Sequence, residues 1–106
     1  MRELSPVEVL ELRQPPLLLD VREGWEVALA AIRIVGADAL HIPMHEVPAR
    51  LAEIDPSRPV LCICHHGVRS SQVVAFLERA GFDDVYNLAG GIDAWSVQAD
   101  PRVPRY

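Results

Sequence analysis

The sequence contains no lysine; all ten of its basic residues are arginine. Fifteen acidic residues outweigh them, and the net charge is −5. No basic run appears, which argues against nucleic acid as the main partner. No apolar run is long enough to cross a bilayer, so no membrane partner is expected either. The N-terminus, MRELSPVEVL, has no apolar secretory core and no small-residue cleavage site, so a cytoplasmic protein is expected. Cysteine is scarce: only Cys62 and Cys64, with one residue between them. Neighbours that close on a strand make a poor structural disulfide, and a cytosol would keep them reduced. Repeats, low-complexity segments and linkers are also absent. What remains is a chain of 106 residues, half of them hydrophobic. That suits one domain, 1–106, with a real core.

Along the chain, strand and helix patterns alternate. Ser5-Pro6-Val7-Glu8 is a capping-box pattern with Pro at the first helical position. It predicts a helix over 6–13, ended by Pro15 and Pro16. LLLDV (17–21) is a continuous apolar run, as in a strand covered on both faces. EGWEVALAA reads as a short helix, and ADALHI as a strand stopped by Pro43. VPARLAEI places Val47, Leu51 and Ile54 on one helical face. PVLCIC is the most strand-like run and is placed at the centre of the sheet. From Ser70 the period becomes helical, with Val73, Phe76, Leu77 and Ala80 in register. Gly81 fits a left-handed C-terminal cap, with Phe82 folding back onto Leu77. DVYNL is the last strand, and GGIDAW a turn and short helix. The tail, residues 97–106, ends in ADPRVPRY and is expected to be extended. This alternation implies an α/β fold with a mostly parallel sheet between helices. Sites in such sheets form beyond the carboxyl ends of the strands.

Cys64 stands at such an end, where PVLCIC gives way to HHGVRS. A tight strand-to-helix loop turns backbone N–H groups inward as an anion-binding nest. The helix that follows adds unpaired N–H groups and the positive end of its dipole. Both favour a thiolate over a thiol. Gly67 lets the loop curl around the sulfur. Arg69 offers a planar, permanently charged fork to an oxyanion. Together these describe a nucleophile with a cradle beside it. Cys62, inside the strand, is read as packing. His65 and His66 are either loop surface or groups that set local charge and substrate preference. CICHH also offers four adjacent metal-ligand types, and His41 and His45 are further histidines. Zinc sites space their ligand pairs apart so that the chain can wrap a tetrahedron. No metal is therefore expected, and no cofactor is called for.

The sequence resembles the rhodanese family of single-domain sulfurtransferases over nearly its whole length. The resemblance rests on LLLDVRE, VGADALHIPM, CHHGVRSSQVVAFLERAGF and VYNLAGGIDAW, in that order. One departure is AAIRIVGA, where the family often has Gly-His-Ile before a turn; that turn is expected to survive through Gly36. The resemblance implies a three-layer α/β/α fold with a five-stranded, mostly parallel central sheet. It implies that Cys64 carries sulfur as a persulfide, taken from a small-molecule donor such as thiosulfate. Cyanide would accept that sulfur in the test tube, and a thiol or protein in the cell. The amides of His65, His66, Gly67, Val68, Arg69 and Ser70 would hold the persulfide, and Arg69 would orient the substrate. Asp20 and Arg22 match a pair that braces the site. Trp95 and the Gly90-Gly91 turn are read as packing. Phosphatases and arsenate reductases on this fold have five residues between cysteine and arginine; here His65 to Val68 are four. The shorter loop suits a single sulfur. A binding domain without activity would typically lose the cysteine, which this chain keeps. A relay serving one protein partner, with little activity on free thiosulfate, shares the loop chemistry and stays open.

Overall fold

The computed structural model describes residues 2–106. Five strands form one sheet: β1 (Glu3–Leu4), β2 (Leu17–Asp20), β3 (Ala39–His41), β4 (Val60–Ile63) and β5 (Val85–Leu88). Their order is β1-β5-β4-β2-β3, and every pairing is parallel. The helices are α1 (Pro6–Leu10), α2 (Gly24–Leu29), α3 (Val68–Arg79) and α4 (Gly91–Gln98). β4 is central, and all four of its residues are buried.

The strand period of two sorts the core into two layers. Leu17, Leu19, Val60 and Cys62 pack with Val73, Val74 and Leu77 of α3 on one face. Leu18, Leu61 and Ile63 pack with Val9 of α1 and with Ile92 and Trp95 of α4 on the other. Cys64 continues the period and falls on the α3 side. The loop that leads into α3 must therefore pass over its sulfur.

The start of α1 carries the predicted capping box: Glu8 N–H donates to Ser5 Oγ at 3.1 Å, and Ser5 N–H to Glu8 Oε1 at 2.9 Å. The helix stops at Leu10, short of the expected 13. Pro15 and Pro16 push the chain before them out of helical geometry. α3 ends as predicted, with Phe82 N–H donating to Leu77 O at 3.0 Å and Gly81 N–H to Glu78 O at 3.1 Å. The turn near Gly36 survives, closed by Ala37 N–H to Ile34 O at 3.0 Å.

Two expectations are corrected, and one strand was not foreseen. The segment from Val47 to Ile54 is not one helix; single 3-10 turns at Met44–Glu46 and Leu51–Glu53 take its place. Pro48 has no N–H to continue a helical ladder, although Val47 and Ile54 still reach the core. The edge strand β1 is two residues long, too short to show a period, and pairs Leu4 with Leu88. The tail does not extend away. Residues 97 and 98 complete α4, and the rest folds back in turns, with Val103 buried. Asp100 N–H donates to Trp95 O at 2.9 Å, and Arg105 pairs with Asp93 at 2.9 Å. Pinned twice, the tail brings Tyr106 to α2 and the Cys64 loop. No helix among the described residues is long and apolar enough to cross a membrane.

Candidate active site

The loop from Cys64 to Gly67 joins β4 to α3. Gly67 has φ +101°, a left-handed conformation that lets the chain double back. Three donors then converge on Cys64 Sγ: Gly67 N–H at 3.1 Å, Ser70 N–H at 3.3 Å and Ser70 Oγ at 3.2 Å. Cys64 itself is 1 % exposed. The sulfur thus sits at the bottom of a small ring, with the first turn of α3 aimed at it.

Six amides were expected around the sulfur. Among the described residues, those of Gly67 and Ser70 reach it. His65 and His66 face elsewhere. Their rings stack at 4.0 Å, and the His65 ring stacks at 3.9 Å on Tyr106. Val68 is 67 % exposed on the rim. His65 Nε2 is buried without a protein partner.

Arg69 is not a free fork. Its two terminal nitrogens bind the Glu26 carboxylate at 2.6 and 2.8 Å. Tyr106 donates its hydroxyl to the same carboxylate at 2.8 Å. Arg22 is fully buried and clamped by Asp20, with Nε to Oδ1 at 2.9 Å and Nη2 to Oδ2 at 2.6 Å. It also donates to Ala30 O at 2.7 Å and to the Tyr106 hydroxyl at 3.0 Å. The expected brace is therefore present, and it extends through Tyr106 and Glu26 to Arg69.

The Arg69 guanidinium holds the buried Glu26 carboxyl at about 2, against an ordinary value of 4.5. A carboxyl depressed on folding stabilises the protein above its unfolded value, and that stabilisation disappears as pH falls from about 4.5 towards 2. The Arg69 side chain is 34 % exposed, and solvent screening there reduces the worth of the pair to about 2 kcal/mol. Wild-type urea midpoints should therefore fall between pH 5 and pH 3 more steeply than those of Glu26→Gln. Parallel curves would show that this pair does not carry the acid sensitivity.

On the other flank, Asn87 is a buried polar residue within β5. It accepts a short hydrogen bond from Ser70 Oγ and donates to Gly67 O at 3.0 Å. Ser70 has one hydroxyl proton, shared between Asn87 and the sulfur. Below the loop, the first turn of α4 takes its carbonyls: Ile92 N–H to Cys64 O at 2.9 Å and Asp93 N–H to His65 O at 3.1 Å. The Gly90-Gly91 turn is thus more than packing, because Gly91 lies directly against those carbonyls.

Sequence reasoning missed Glu26, Tyr106 and Asn87. Asn87 had a signal, since a polar residue interrupts an otherwise apolar strand. Glu26 carries no signal of its own, being an acidic residue in the first turn of α2. Tyr106 lay in a tail expected to extend away.

The architecture defines an α/β protein in which a loop at the end of a central parallel strand cradles one cysteine sulfur. Residues 5–98 match the rhodanese-like domain family. The chain is 42 % identical over 87 residues to a sulfurtransferase from Allochromatium vinosum, covering 82 % of this chain and 78 % of that protein. It is 37 % identical over 106 residues to the thiosulfate sulfurtransferase GlpE of Actinobacillus pleuropneumoniae, covering 98 % of this chain and 94 % of GlpE. Among solved structures, a rhodanese-related protein from Thermoplasma volcanium superposes with a TM-score of 0.85 at 27 % identity, over the full length of both chains. The chain belongs to the rhodanese-like family and is a sulfurtransferase.

Proposed function

We propose that the protein moves sulfane sulfur from a donor such as thiosulfate to a thiophilic acceptor, through a persulfide on Cys64. The observation that supports this most is the set of three donors on a sulfur at the carboxyl end of β4. The Cys64 thiolate attacks the outer sulfur of the donor. The S–S bond of thiosulfate breaks, and sulfite leaves with the electron pair. A new S–S bond joins Cys64 to the transferred sulfur. An acceptor thiolate or cyanide then attacks that outer sulfur and releases the Cys64 thiolate. Charge on sulfur is met by fixed N–H groups that need no rearrangement. A ring this small suits one sulfur atom better than a tetrahedral oxyanion. The partners are accordingly a small-molecule donor and a thiol or protein acceptor, in a cytoplasmic setting where acceptor thiols stay reduced.

Intact mass after incubation with thiosulfate tests the reading. Wild type should gain one sulfur and lose it on addition of cyanide. A wild-type protein that takes up no sulfur from any sulfane donor would overturn it.

A further inference from the structure

We propose that Glu26 selects the sulfur donor: by occupying Arg69 it withholds the cation that a dianion would need, and so favours donors of lower charge that carry carbon, such as alkyl thiosulfonates and organic persulfides. The inference rests on the Cys64 persulfide reading and deepens it.

Arg69 stands in the chain between Gly67 and Ser70, whose N–H groups both reach Cys64 Sγ. Yet both of its terminal nitrogens are spent on Glu26. The buried Arg22 is paired as well, with Asp20 at 2.6 Å, and Arg105 is paired with Asp93 at 2.9 Å. On the far flank Glu3 approaches Asn87 Nδ2 at 3.3 Å and adds negative charge. An incoming thiosulfate dianion therefore meets a mouth of paired charges on a chain whose net charge is −5. Beyond the loop's own N–H groups, none of these arginines is free to steer it inwards. The rim offers a different attraction. Trp25 is 64 % exposed and lies edge-on to Tyr106, with ring centroids 6.2 Å apart, and Val68 is exposed on the loop. These surfaces suit an alkyl or peptide group attached to the sulfur.

The chemistry balances without a further reagent. The Cys64 thiolate forms a bond to the outer sulfur of R–SO2–S⁻, the old S–S bond breaks, and the sulfinate leaves with the electron pair. With a persulfide, the leaving group is the carrier thiolate.

Glu26 acts through Arg69 and is a positioning residue, so the test must separate selection from general damage. Thiosulfate and methanethiosulfonate present the same outer sulfur but differ by one charge. We expect Glu26→Gln to raise kcat/KM for thiosulfate relative to methanethiosulfonate by about tenfold, equivalent to about 1.4 kcal/mol. Glu26→Asp, which keeps the charge, should stay near the wild-type ratio. A purely structural role would lower both donors together, and that result, or a ratio moved less than about twofold, would overturn the proposal. Should Glu26→Gln not fold, the wild type decides. Its kcat/KM for thiosulfate should be flat or rise with ionic strength. A steep fall with salt would reveal an attractive field and sink the idea. If neither donor loads sulfur onto wild-type Cys64, the persulfide reading fails first and the proposal with it.

Discussion

Replacing Cys64 with Ser should lower sulfur transfer to cyanide by ~10³-fold or more, whereas Cys62→Ala should keep most of it. The two cysteines lie on the same side of the sheet, two residues apart, and both are buried. Only their surroundings differ. Cys64 Sγ meets three donors from the loop and α3. Cys62 lies inside β4, paired in register with Leu19 and Asn87. Burial pushes its thiol well up, with the nearby Cys64 adding to the effect. A neutral thiol inside a strand has neither the nucleophilicity nor the access to exchange sulfur. Alanine at position 62 removes only a small apolar volume, a loss of about 1 kcal/mol. Serine at 64 keeps the ring of donors but gives them an alcohol that forms no persulfide. Thiocyanate formation, with urea midpoints as the check on folding, separates the two variants. Equal loss in both, with both folded, would defeat the single-nucleophile reading.

Much of this arrangement was legible because it is local. The capping box of α1 and the Gly81 cap of α3 each span a few residues whose spacing carries the geometry. The junction at Cys64 was legible for the same reason. An apolar run ends, a glycine follows within three residues, and a helical period begins. The parallel sheet between helices needed only the alternation of strand and helix patterns.

The rest was hidden because it depends on contacts between distant segments. Arg69 looked like an anion fork because its own surroundings suggest one. Its partner Glu26 is 43 positions away, on a helix whose first turn would carry an acidic residue in any case. Tyr106 meets the same carboxylate across 80 positions. That contact exists only because Arg105 and Val103 fasten the tail. The two-residue β1 strand is defined by its pairing with β5 and by nothing in its own sequence. Local pattern located the sulfur and its donors; the charges that govern what approaches it come from the tertiary fold.

Gly91→Ala should be the most damaging change outside the loop itself. It should lower stability by about 3 kcal/mol and sulfur-transfer kcat/KM by about a hundredfold. Two costs coincide at this residue. Its φ is +64°, where a side chain costs about 1–2 kcal/mol. A Cβ there would also lie 2.5 Å from Cys64 O and closer still to His65 O. These are backbone atoms, and no rotamer change can relieve them. They are also the carbonyls held by Ile92 and Asp93 N–H. Relief must come from one of two movements. If α4 backs away, two hydrogen bonds to the loop are lost. If the loop moves, Cys64 shifts relative to the Gly67 and Ser70 donors, and a displacement of about 1 Å is enough to cost a hundredfold in rate. Gly24→Ala is the control. It lies at the start of α2, has an ordinary φ, and has no atom within 4 Å of the added Cβ. Its urea midpoint and activity should stay near wild type. The decisive comparison is urea unfolding and thiocyanate formation measured on both variants. A Gly91→Ala protein with wild-type stability and activity within about twofold would show that α4 does not fix the position of the Cys64 loop.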